Sequence, residues 1–81
     1  MKITVLLFAA AREIAGVESV ELDLPESASI AHVRAALLLA LPSLAVRTNT
    51  LLWAVNNEYA AEDKVLHSTD VVACFPPVSG G

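Results

Sequence analysis

Residues 70–75, Asp-Val-Val-Ala-Cys-Phe, read as a strand, and they run directly into Pro76-Pro77. Two prolines fix φ near the polyproline value and remove two N–H donors, so the strand cannot carry its ladder beyond Phe75. The chain must leave the sheet there as a stiff, extended peptide, through Val78 and Ser79 to Gly80-Gly81. From Val78 to Gly81 that peptide reaches roughly 13 Å, at about 3.3 Å per residue. A Gly-Gly pair tolerates φ of either sign and threads a channel too narrow for any other dipeptide. Small residues are common at chain ends, however, and a bare Gly-Gly is weak evidence until the rest of the chain is read.

That last strand reads as central, because apolar residues occupy both of its faces. With Val72 and Cys74 turned inward, Phe75 emerges on the outer face with Phe8 as its neighbour. At the other end of the chain, Ile3 to Phe8 is apolar and β-branched near its start, as in a buried strand. Ile3, Val5 and Leu7 make its core face; Leu6 and Phe8 fall on the outer side. Ala9 to Gly16 is a connection, and Val17 to Leu24 alternates as a half-exposed edge strand closing a hairpin with the first.

Ser29 is placed to cap a helix over Ile30 to Leu41, which Pro42 stops. At about 100° per residue, Ile30, Val33, Leu37, Leu41 and Leu44 share one stripe, while Leu39 lies on the wet face. Ser43 to Thr50 reads as polar and irregular. Leu51 to Val55 is a third strand, Asn56-Asn57 a tight turn, and Tyr59 to Ala61 a short return. Glu62 to Thr69 is a loop with a helical turn at Lys64 to His67. A hairpin, a helix and a late strand beside the first describe an α+β, β-grasp (ubiquitin-like) fold: a mixed sheet with one main helix packed on one face. Residues 1–75 form the domain and residues 76–81 the tail.

Composition narrows the function. With 81 residues the chain makes one small domain. Nine acids against five bases give a formal charge of −4, with no Lys/Arg cluster, which argues against nucleic acid as a ligand. The longest apolar run, Ala35 to Leu41, is too short to cross a bilayer, and no convincing leader precedes Arg12-Glu13. The one cysteine, Cys74, excludes an internal disulfide and fits a reducing, cytoplasmic setting; it reads as a core thiol. His32 and His67 have no partner at metal-ligand spacing, so no metal site and no bound cofactor are expected. A hydrophobic fraction of 56% leaves apolar surface for a partner to cover.

The residues also resemble a known family. Leu6-Leu7-Phe8-Ala9-Ala10-Ala11-Arg12-Glu13, Trp53-Ala54-Val55-Asn56-Asn57-Glu58-Tyr59, and Asp70 through Phe75 into Pro76-Pro77-Val78-Ser79-Gly80-Gly81 are similar to the small subunits of molybdopterin synthase, sulfur carriers of the ThiS/MoaD type. Thr69 stands where that family commonly has glycine before the last strand, and Cys74 where it often has a bulkier residue.

The resemblance implies that a partner related to ubiquitin-activating enzymes spends ATP to adenylate Gly81. A sulfur donor then leaves a thiocarboxylate there. The synthase large subunit, in a heterotetramer of two small and two large subunits, uses that sulfur to turn cyclic pyranopterin monophosphate into molybdopterin. Gly81 is then the reacting residue, Pro76, Pro77, Val78, Ser79 and Gly80 thread the tail, and Leu6, Phe8 and Phe75 dock partners. Arg12 is either a partner contact or a solvated charge. Alternatives are a carrier for thiamine, cysteine or tRNA thiolation, a protein modifier, or an inert ubiquitin-like interaction module. No constellation within the body supports an autonomous enzyme.

Overall fold

The computed structural model describes residues 1–47 and 50–77. Its elements run β1 (Lys2–Leu7), α1 (Ala9–Ala15), β2 (Ser19–Asp23), α2 (Ile30–Ala40), a 3-10 helix (Pro42–Arg47), β3 (Leu52–Val55), β4 (Glu58–Tyr59) and β5 (Val71–Phe75). One mixed sheet has the order β2-β1-β5-β3-β4. β5 is central, parallel to β1 and antiparallel to β3, and β2 is an edge paired antiparallel with β1. This is the expected β-grasp arrangement.

The core forms where the alternation of the strands meets the stripe of α2. Ile3, Val5, Leu7, Leu22, Trp53, Val55, Val72 and Cys74 bury one sheet face against Ile30, Val33 and Leu37, joined by Leu44 and Leu66. Leu41 is half-buried, and Leu44 reaches the core from the 3-10 helix rather than from α2. Leu39 stands 85% exposed, as its position on the helix requires. The backbone N–H of Ser29 donates to His32 Nδ1 at 3.0 Å, so His32 serves the start of the helix.

Four local expectations are corrected. Ala9–Ala15 is a helix, not a loop: its alanines favour helix, and Ala11, Ile14 and Ala15 pack against the core. Gly16 closes it at φ 77°, donating its N–H to the Arg12 carbonyl at 2.8 Å. A Cβ there would meet nothing, so the backbone angle alone calls for glycine. Residues 42–47 form a 3-10 helix rather than irregular chain, since burying Leu44 requires the backbone to keep turning after Pro42.

β4 begins at Glu58 because Asn56 and Asn57, at φ 51° and 70°, make a two-residue turn that pairs Val55 with Glu58 at once. Residues 64–67 form no helical turn. The loop instead runs alongside the start of α2, taking the N–H of Ile30 on the Lys64 carbonyl and that of Ala31 on the Glu62 carbonyl. Leu66 returns its own N–H to the Ala28 carbonyl at 2.8 Å. These bonds satisfy helix-end donors that would otherwise be orphaned, and they hold the loop open.

Candidate functional site

The tail leaves from the middle of the sheet. On one side of β5 the last backbone bond runs from the N–H of Phe8 to the Cys74 carbonyl, at 3.1 Å. On the other side the last pairing is Leu52 with Phe75. Pro76, half-buried, has no N–H to continue either ladder, and Pro77 is exposed. Val78, Ser79, Gly80 and Gly81 lie outside the described residues.

The outer sheet face leading to this exit is apolar, and no other described element covers it. Strand registers place Leu6, Ala73, Ala54 and Tyr59 in one row across four strands. Two alanines between larger neighbours make a trough, with the sheet backbone as its floor. Phe75 and Leu52 form the next row toward the exit. Leu6, Phe8, Val71, Ala73, Asn56 and Asn57 line one cleft of about 280 Å³. Phe8 is 46%, Val71 43% and Tyr59 79% exposed.

Leu6, Phe8 and Phe75 therefore share one surface, as the alternation of their strands predicts. The ring that meets Phe75 is that of Tyr59, with centroids 5.8 Å apart and planes tilted by 58°. Sequence reasoning missed Tyr59, together with Leu52 and Val71. The signal was available in the Asn-Asn turn, which fixes the register that carries Tyr59 onto this face. Arg12 lies on α1, one turn past Phe8, and its guanidinium is 3.8 Å from Glu18 with both side chains well exposed. Such a pair contributes little to stability.

The start of β5 is fixed as firmly as its end is open. Asn56 Nδ2 donates to Asp70 Oδ1 at 2.8 Å, and the N–H of His67 donates to Asp70 Oδ2 at 2.8 Å. The N–H of Val71 donates to Asn56 Oδ1 at 3.0 Å. The His67 N–H bond, then that from Asn56, hold the Asp70 carboxyl below its ordinary range. The loop thus closes with Thr69 where the family often has glycine, and Thr69 is not among the residues of positive φ.

Burial pushes the Cys74 thiol up to about 12, which makes it a core group and not a nucleophile. Among the described residues, no group of three or more His, Cys, Asp or Glu is placed to hold a metal ion. Nor is any described helix long and apolar enough to cross a membrane. What the described residues offer is an exposed apolar sheet face beside the end of the central strand.

Known proteins resemble this chain over its whole length. The chain is 40% identical to the molybdopterin synthase sulfur carrier subunit of Chlamydomonas reinhardtii, covering all of both chains. It is 36% identical to the protein of that name from Arabidopsis thaliana, covering all of this chain and 84% of the relative. Among solved structures it is similar to SAMP1, small archaeal modifier protein 1, of Haloferax volcanii. That likeness has a TM-score of 0.91 and 31% identity and covers both chains completely. The ThiS family matches residues 5–81, and the chain belongs to that family.

Proposed function

We propose that this chain is the sulfur-carrying small subunit of molybdopterin synthase. The observation that carries the reading is end-to-end likeness to relatives of that name, on a body whose one central strand ends in the paired prolines. The geometry is consistent with it: a partner seated on the trough of Leu6, Phe8, Ala54, Ala73, Tyr59 and Phe75 would receive the tail without any break in contact.

The chemistry follows from the terminal carboxylate. With an ordinary pKa near 3.5, the Gly81 carboxylate is an anion at neutral pH and a poor electrophile. An activating partner supplies ATP; a carboxylate oxygen attacks the α-phosphorus, and pyrophosphate leaves. Sulfur at the oxidation level of sulfide then attacks the acyl carbon and displaces AMP, leaving a thiocarboxylate. In the synthase large subunit that sulfur passes to cyclic pyranopterin monophosphate, and two charged carriers complete one dithiolene. The chain binds no cofactor of its own, and it works in the cytoplasm, where thiols stay reduced. Pro76 and Pro77 aim the tail, and Gly80 gives it the narrow section that a channel requires.

The test is mass spectrometry of the C-terminal peptide after incubation with ATP, an activating enzyme and a sulfur source. Sulfur localised at Gly81, followed by molybdopterin formation when the large subunit is added, is the expected result. An unmodified terminus, beside a control carrier charged in parallel, would overturn it. The likeness to SAMP1 favours a second reading, in which Gly81 is joined to lysines of other proteins. Isopeptide-linked Gly81 peptides in cells, with no molybdopterin formed in the reconstituted reaction, would select that one.

A further inference from the structure

The cleft in the outer sheet face has an apolar body and a single free polar end. Leu6, Phe8, Val71 and Ala73 wall its space of about 280 Å³, and Asn56 and Asn57 close the end nearest the start of β5. No charged residue lines it. The two asparagines have different duties. Asn56 is committed to the backbone, its Nδ2 donating to Asp70 and its Oδ1 accepting the N–H of Val71. The Asn57 amide is exposed and takes no part in that clamp. It presents one acceptor oxygen and two donor hydrogens at the end of an otherwise apolar slot.

That pattern selects among the side chains a partner can insert. A leucine or phenylalanine would fill the hollow over Ala73, but it would strip water from the Asn57 amide without replacing its hydrogen bonds. A lysine or arginine would find no lining carboxylate, and both Asp70 oxygens beside the cleft already accept bonds. An acidic side chain would bring a further negative charge onto apolar walls in a chain of formal charge −4. A tyrosine meets both requirements. Its ring is apolar, and its hydroxyl both donates to and accepts from a carboxamide.

We propose that this cleft is the anchor socket of the docking face and receives a tyrosine of the partner, ring over Ala73 between Leu6 and Val71, hydroxyl on the Asn57 amide. The inference rests on reading the trough as the face that meets the synthase large subunit, and it names the partner's chemistry there. Asn57 also has a backbone role, since its φ of 70° is one that asparagine and glycine adopt readily. The two roles separate in one substitution. Asn57→Gly keeps the turn, because Asn-Gly is the preferred pair for it, and removes only the amide.

Calorimetry with the molybdopterin synthase large subunit tests the socket. Asn57→Gly should weaken capture by about 3- to 10-fold, with a thermal melt no lower than that of the wild type. Ala73→Leu, which fills the hollow from this chain's side, should weaken it by about 10-fold or more. Tyrosines on the large subunit's docking surface are then changed one at a time to phenylalanine, which keeps the ring and removes the hydroxyl. For one of them the Asn57→Gly loss should vanish, because its hydrogen bond is already gone. An Asn57→Gly variant that binds as the wild type does overturns the proposal. So does an Asn57→Gly loss that adds in full to every tyrosine-to-phenylalanine loss. Phe75→Ala separates the socket from the wider reading. If it loses affinity while Asn57→Gly does not, the docking face stands and the socket falls; if neither loses affinity, both fall.

Discussion

Along β5, Val72 and Cys74 are fully buried, while Val71, Ala73 and Phe75, their immediate neighbours, face away from α2 and stay partly in solvent. The same five residues thus serve two surfaces with different requirements. The inner face is closed by large aliphatic side chains from β1, β2, β3, β5, α2 and the 3-10 helix, and its role is stability. The outer face has alanines at its middle and aromatic rings at its rim, and none of the other described elements covers it. An edge strand ordinarily has one dry face and one wet one; a central strand with apolar residues on both, and a helix on only one, has a face left for another molecule.

The sharpest way to break this division is at the tail. Removing Gly80-Gly81 should abolish sulfur transfer to the limit of detection while leaving the thermal melt of the domain unchanged, since the core ends at Cys74. Loss of both together would mean that the tail is part of the fold. On the inner face, Leu37→Ala removes a side chain with no solvent exposure and should cost about 2–5 kcal/mol in chemical denaturation. That is a large share of the ~5–15 kcal/mol that holds a domain together. A comparable cost from Val71→Thr on the outer face, where about 0.5 kcal/mol or less is expected, would erase the distinction.

Binding should show the reverse pattern. Phe75→Ala, and separately Tyr59→Ala, should each weaken capture by the synthase large subunit by about 1–3 kcal/mol, a loss of roughly 5- to 150-fold measured by calorimetry. Both variants should remain folded. Because the two rings touch, the double variant should lose less than the sum of the single losses. Strict additivity would place the two rings in separate contacts, and unchanged affinity would remove the trough from the docking surface.

Much of this was legible in the sequence because strand alternation is a strong signal. Ile3, Val5 and Leu7 against Leu6 and Phe8 already separate the two faces, and Pro76-Pro77 already marks the exit. Less legible were features set by tertiary contact. The helix over Ala9–Ala15 needs only seven residues, too few for a clear period, and it is held by Ala11 against the core. The extended loop at residues 64–67 is fixed by bonds to the first turn of α2, more than thirty positions upstream, which no local pattern encodes. Tyr59 is hard to read for a smaller reason: the Asn-Asn pair marks the turn, but a strand of two residues shows no alternation, so only its pairing with Ala54 fixes the face that Tyr59 takes.

The smallest expected effect concerns the closed end of β5, and it contrasts with the open one. Asp70 accepts the His67 N–H and an Asn56 amide N–H, and both bonds favour its ionised form. Its folded pKa is therefore below the ordinary 3.8, with nearby His67 and Lys64 adding weaker attraction. In the window between the two values the unfolded chain binds more protons than the folded one, so stability rises with pH across it. The contribution is complete above the unfolded pKa and is lost as pH falls through the folded one. Asp70→Asn supplies one acceptor oxygen where the carboxylate supplies two, and since both bonds are exposed the freed donor turns to water, at a cost of about 0.5 kcal/mol or less. Urea melts from pH 7 down to pH 2 should therefore show the variant less stable at neutral pH, with the gap closing below about pH 4 as the wild-type carboxyl protonates. A gap that stays constant with pH would mean that Asp70 acts through shape alone.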